Sequence, residues 1–84
     1  MDLPTSFVDA QARVKALSSA PPSSDLLELY AFFKQTTLGD AAGPRPGRLD
    51  FRARAKFDAW TTKVGMTPDQ AMSAYVALVD RLCS

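Results

Sequence analysis

Apolar residues recur along this chain at helical spacing, in four blocks separated by three breaks. The first block runs from about Ser6 to Leu17. Phe7, Ala10, Val14 and Leu17 follow one another at intervals of three and four, which brings them to one face of a helix. Thr5 or Ser6 is expected to cap its start. Ser18-Ser19-Ala20-Pro21-Pro22-Ser23 ends it, because two prolines cannot continue a helix. The second block begins near Ser24 or Asp25 and reaches about Leu38. Asp25 and Glu28 have capping-box-like spacing and put negative charge in the first turn. Leu26, Tyr30, Phe33 and Thr37 form its stripe, with Leu27 and Leu29 beside it, and Gly39 supplies the stop.

Residues 40 to 50 carry Gly43, Pro44, Pro46 and Gly47 and make the one long connection, a length often kept for function in a small chain. A third block follows from about Phe51 to Val64, with Ala53, Phe57, Trp60 and Val64 in register and Gly65 closing it. The fourth opens on Thr67-Pro68-Asp69-Gln70. Here Thr67 caps, Pro68 takes the first helical position and Gln70 completes a capping box. Met72, Tyr75, Val79 and Leu82 make the main stripe, flanked by Val76 and Leu78. No strand-like alternation competes. Four amphipathic helices must bury their stripes on one another, so the pattern predicts an all-α four-helix bundle in a single domain over residues 1–84. The short connections are expected to join antiparallel neighbours, while the long one frees the second and third helices to lie otherwise.

Composition narrows the function. With 84 residues the core is thin, and 46% hydrophobic against 23% charged residues marks a globular chain. The net charge of +1 argues against a protein that coats nucleic acid as a whole. There is no histidine, which removes the usual general base and the commonest metal ligand. The single thiol, Cys83, can form neither an internal disulfide nor a zinc cage. No catalytic or metal-binding constellation emerges. Asp9, Asp58 and Asp80 read as solvated, and Asp25, Asp50 and Asp69 as helix-start residues. The N-terminus lacks a secretory signal and no stretch is long and apolar enough to span a bilayer, so the expected location is cytoplasmic.

Three features exceed what a bundle needs. Arg45, Arg48, Arg52, Arg54 and Lys56 crowd one loop-to-helix segment, which reads either as a solvated face or as a phosphate site. Tyr30, Phe33 and Lys34 share a helix face, an arrangement that suits a purine stacked beside a paired phosphate and equally suits core aromatics. Lys56-Phe57, with Trp60, sets a cation beside apolar bulk, as needed where a polar headgroup meets an alkyl chain. The alternative is that Phe57 and Trp60 are simply the apolar stripe of their helix.

Four motifs in order resemble the acyl-CoA-binding protein family. Tyr30-Ala31-Phe32-Phe33-Lys34-Gln35-Thr36-Thr37-Leu38-Gly39-Asp40 is similar to its tyrosine–aromatic–lysine–glutamine signature. Arg45-Pro46-Gly47 with Asp50-Phe51 is similar to its loop, Ala55-Lys56-Phe57-Asp58-Ala59-Trp60 to its third helix, and Asp69-Gln70-Ala71-Met72-Ser73-Ala74-Tyr75 to its fourth. The resemblance runs from about Phe7 to Leu82. It implies an up-down-down-up bundle that holds long-chain fatty acyl-CoA without cofactor, metal or catalysis. Residue by residue, it implies headgroup contacts from Lys15, Tyr30, Phe33, Lys34, Lys56 and Tyr75, and acyl-chain contacts from Leu26, Leu27 and Phe57. Phe33 stands where many members carry Tyr, and Phe57 where many carry Trp.

The chain is accordingly expected to be a monomeric carrier with no nucleic-acid partner. It is expected to have no integral membrane association, and transient membrane contact is a route for loading. Two rival readings differ in kind: a basic nucleic-acid binder built on Arg45 to Lys56, and a helical module whose aromatic groove takes a partner peptide.

Overall fold

A computed structural model describes all 84 residues as four helices and no strand. These are α1 (Leu3–Lys15), α2 (Ser23–Leu38), α3 (Phe51–Thr61) and α4 (Pro68–Cys83). The first starts earlier than its apolar stripe suggests. Asp2, not Thr5 or Ser6, is the cap: its carboxylate accepts the Thr5 N–H at 2.8 Å, and Pro4 falls in the first turn, where a missing N–H costs nothing. The Thr5 hydrogen bonds hold the Asp2 carboxyl below its ordinary pKa.

Helix α2 begins after Pro22 with no side-chain cap. Asp25 has a tertiary role instead, accepting from Arg81 of α4 at 2.9 Å. At the other end Gly39 takes φ +81°, a conformation open to glycine, and its N–H returns to Gln35. Helix α3 stops at Thr61 rather than Val64. The hydroxyls of Thr61 and Thr62 turn back onto the carbonyls of Asp58 and Ala59, and the chain reaches Gly65 through turns closed by i−3 bonds. The expected capping box of α4 is present: the Thr67 hydroxyl accepts the Gln70 N–H at 3.1 Å, and the Gln70 side-chain oxygen accepts the Thr67 N–H at 2.9 Å.

Only three helix pairs pack: α1 on α4, α4 on α2, and α2 on α3. The order across the molecule is therefore α1–α4–α2–α3, in a slab of 39 × 29 × 15 Å. Side-chain partners give the directions. Phe7 meets Tyr75 and Arg13 meets Asp80, so α1 and α4 run together. Asp25 meets Arg81 while Gln35 meets Met66, so α2 opposes α4. Tyr30 meets Lys56 and Gly39 meets Trp60, so α2 and α3 run together. This is the up-down-down-up bundle. The short connections, however, do not join packed neighbours. The broad apolar surface of α4, with Tyr75 and Val79 at its centre, takes α1 on one side and α2 on the other.

The core is small: Phe7, Ala10, Leu29, Ala31, Ala71, Tyr75 and Val79. Three fully buried alanines, one from each of α1, α2 and α4, leave room for close helix approach. Helix α3 buries no residue completely. One polar side chain, Gln35, is wholly inside. Its amide donates to Asp40 Oδ1 at 2.7 Å and to the Met66 carbonyl at 3.0 Å. Asp40 Oδ1 also accepts the Gly65 N–H at 2.9 Å, so one carboxylate ties the end of α2 to the turn before α4. The Gly65 N–H, and then Gln35, draw the Asp40 carboxyl below its ordinary pKa.

Candidate ligand-binding site

Three depressions adjoin on the molecule and share residues. The first, of about 430 Å³, lies between α2 and α3 and is bordered by Tyr30, Pro46, Arg52, Lys56, Phe57 and Trp60. The second, of about 450 Å³, lies where α1, the α1–α2 connection and α2 meet. It is mostly apolar, with Val14, Leu17, Pro21, Leu26 and Leu29, and it carries Lys15 and Tyr75 at its border. A smaller one of about 260 Å³ joins them through Lys15, Leu29, Tyr30, Phe33 and Tyr75.

Tyr30 is common to the first and the joining depression, and it is where the cations converge. Lys34, one turn along α2, holds its Nζ 5.6 Å from the Tyr30 ring centroid. Lys56, from α3, holds its Nζ 5.2 Å from the same centroid. The Lys34 ammonium also lies 5.9 Å from the Trp60 ring. Neither lysine is engaged by a carboxylate: the four ion pairs use Arg13, Arg45, Lys63 and Arg81. Two unneutralised ammonium groups resting on aromatic faces form a ready anion site, since the rings orient them without cancelling their charge.

The wider basic segment does not act as one patch. Arg45 is committed to Asp58 through two bonds of 2.9 and 2.6 Å, and Arg45 lowers the Asp58 pKa. Asp58 and Asp80 are thus paired rather than simply solvated, Asp80 with Arg13 at 2.7 Å.

The aromatic residues are core and border at once. Phe33 stacks on Phe7 at 6.0 Å and 27°, while its outer face lines the joining depression. Tyr75 meets Phe7 edge-on at 5.0 Å, and burial raises its pKa. Phe7 therefore backs two of the aromatics that border the site. Helices α1 and α2 do not pack directly, so the Phe7–Phe33 stack joins them through side chains alone.

The family model described as "Acyl CoA binding protein" matches residues 4–79. The chain belongs to the acyl-CoA-binding protein family. It is 49% identical over 77 residues to acyl-CoA-binding protein homolog 1 of Caenorhabditis elegans, covering 92% of this chain and 90% of the relative. It is 48% identical over 83 residues to the acyl-CoA-binding protein homolog of Manduca sexta, covering 98% and 92%. Among solved structures, Oryza sativa acyl-CoA-binding protein 2 superposes with a TM-score of 0.90 at 32% identity, covering 96% of this chain and 90% of that one.

Of the positions that the resemblance to the acyl-CoA-binding protein family singles out, Lys15, Tyr30, Phe33 and Tyr75 share the joining depression. Lys56 and Phe57 border the first, and Leu26 the second. Lys34 reaches the group through Tyr30. Leu27 is half-buried and borders none of the three. Trp60 is more than a stripe residue: its indole N–H donates to the Gly39 carbonyl at 2.8 Å and its ring walls the first depression against Phe57. Arg52 also borders that depression, and nothing in its spacing distinguishes it from the other arginines of the segment. No helix is long and apolar enough to cross a membrane.

Proposed function

We propose that this chain binds long-chain fatty acyl-CoA esters non-covalently, buffers and carries them, and catalyses nothing. The observation that carries the reading is the convergence of Lys34 and Lys56 on Tyr30 beside apolar depressions. An acyl-CoA has one polyanionic end and one alkyl end, and this surface offers both complements within a single continuous border. In this reading Lys15, Tyr30, Phe33, Lys34, Lys56 and Tyr75 hold the nucleotide headgroup, with Phe33 giving a stacking face without a hydroxyl. Leu26, Leu27 and Phe57 attend the acyl chain. Residues 1–84 act as one binding domain.

The carrier works as a monomer in the cytoplasm, and one exposed thiol in so small a domain suits a reducing compartment. Transient membrane contact lets it load ligand. The names of the relatives, which are acyl-CoA-binding proteins of an insect and a nematode, support the same ligand.

Isothermal titration with palmitoyl-CoA, free CoA and palmitate tests the proposal. Palmitoyl-CoA is expected to bind far more tightly than free CoA, and palmitate least. Equal affinity for palmitate and palmitoyl-CoA would remove the headgroup role of the lysines and with it the proposal.

A further inference from the structure

Each of the three helix contacts is crossed by an ion pair. Arg13–Asp80 spans α1 and α4, Asp25–Arg81 spans α2 and α4, and Glu28–Lys63 joins α2 to the turn that ends α3. The last pair is the most deeply set. The Lys63 side chain is 13% exposed, the least of the four paired cations. Its Nζ meets Glu28 Oε2 at 2.5 Å and lies 4.4 Å from the Phe32 ring centroid. Glu28 and Phe32 stand one turn apart on α2, so a carboxylate and an aromatic face grip one ammonium. Attraction between partly buried charges is screened less than at an open surface.

Helix α3 needs such a hold. It buries no residue completely and packs on α2 alone. Across that one contact Lys34 and Lys56 approach the same ring with no carboxylate partner, and like charges so placed repel. The α2–α3 contact thus carries a repulsive pair inside the site and an attractive pair that borders none of the three depressions. Lys63 still reaches the site through the backbone. Its N–H donates to the Trp60 carbonyl at 2.9 Å, and the Trp60 ring walls the depression between α2 and α3.

We infer that Glu28 and Lys63 are positioning residues: their pair holds α3 on α2 against the repulsion of Lys34 and Lys56, and so keeps both site ammonium groups on Tyr30 before ligand arrives. This deepens the acyl-CoA reading and rests on it. Once the pair is broken, the assembled site is populated only part of the time, and apparent affinity falls by that fraction.

The experiment titrates palmitoyl-CoA and free CoA into the wild type and four variants, and records the emission of Trp60, the single tryptophan. Lys63→Met keeps an unbranched apolar stem and removes the charge, Glu28→Gln removes the other charge, and Glu28→Lys with Lys63→Glu reverses the pair. Arg13→Met breaks the α1–α4 pair as a control for stability alone. Lys63→Met and Glu28→Gln are each expected to weaken both ligands about fivefold. Their ligand-free Trp60 emission is expected to shift to the red and to return under saturating palmitoyl-CoA. The reversed pair is expected to recover most of the affinity, and Arg13→Met to bind like wild type. Wild-type affinity and emission in both single variants overturn the inference. So does a reversed pair that binds no better than the single variants, and so does an equal loss in Arg13→Met, which would reduce the effect to overall stability. A wild type that does not bind palmitoyl-CoA overturns the acyl-CoA reading and the positioning role with it, whereas a wild type that binds beside unaffected variants overturns the positioning role alone.

Discussion

Lys34 of α2 and Lys56 of α3 rest on the same ring, that of Tyr30, with their ammonium nitrogens 5.6 and 5.2 Å from its centroid. Twenty-two positions separate them in sequence, and only the pairing of α2 with α3 brings them together. Lys34→Ala and Lys56→Ala should each weaken palmitoyl-CoA and free CoA alike, by about 1.5–3 kcal/mol per charge-assisted contact. The double variant should lose less than the sum, because both act on one anion. Calorimetric titration of the cycle checks this, and strict additivity would mean that they serve separate groups.

Phe57 stands beside Trp60 in the depression between α2 and α3, their rings 6.4 Å apart. Phe57→Ala should cost long-chain esters more than free CoA. In the wild type, two added carbons should tighten binding on the order of tenfold until the groove is full, at about 0.8 kcal/mol per methylene. A chain-length series titrated against both proteins tests the division of labour. Parallel losses for ester and free CoA would contradict it.

Phe7 is buried, and its ring meets those of both Phe33 and Tyr75. Phe7→Ala should lower unfolding stability by about 3–5 kcal/mol, a large share for a chain of this size. Phe7→Leu should stay folded yet bind more weakly, since Phe33 loses the ring behind it. Urea denaturation gives the first quantity and titration of the leucine variant the second.

Asp40 is hydrogen-bonded by the Gly65 N–H and by Gln35, so its folded pKa lies below the unfolded value of about 3.9. The folded state therefore binds this proton less readily than the unfolded chain. Its contribution is full above the unfolded pKa and disappears as pH falls through the folded one. Asp40→Asn should lower the urea midpoint at neutral pH and flatten the acid limb of the stability profile. Asp2 and Asp58, also lowered, keep part of the slope. An acid limb as steep as that of the wild type would exclude a role for Asp40 in it.

Thr67→Ala removes half of the one complete capping box and should destabilise the fold by about 1 kcal/mol. Thermal or urea unfolding reads this directly, and an unchanged midpoint would show that α4 is held by its packing alone.

What was legible in the residues was whatever depends on near neighbours. Helical periodicity, the proline and glycine breaks and the Thr67 capping box are settled by contacts within four or five positions, and each stands in the structure. Local signals misled where a tertiary partner competed. Asp25 looked like a cap and is bound to Arg81, Asp58 and Asp80 looked solvated and are paired, and α3 ends early because Thr61 and Thr62 bond back to its last carbonyls. Which helices would touch lay beyond periodicity altogether, because a stripe says that a face is buried and not against what. Tertiary packing alone chose α4 as the partner of both α1 and α2, closed Gln35 onto Asp40 and Met66, and carried Lys56 across to Tyr30. The residues of the candidate site were written in the chain, but their convergence is a property of the α2–α3 contact.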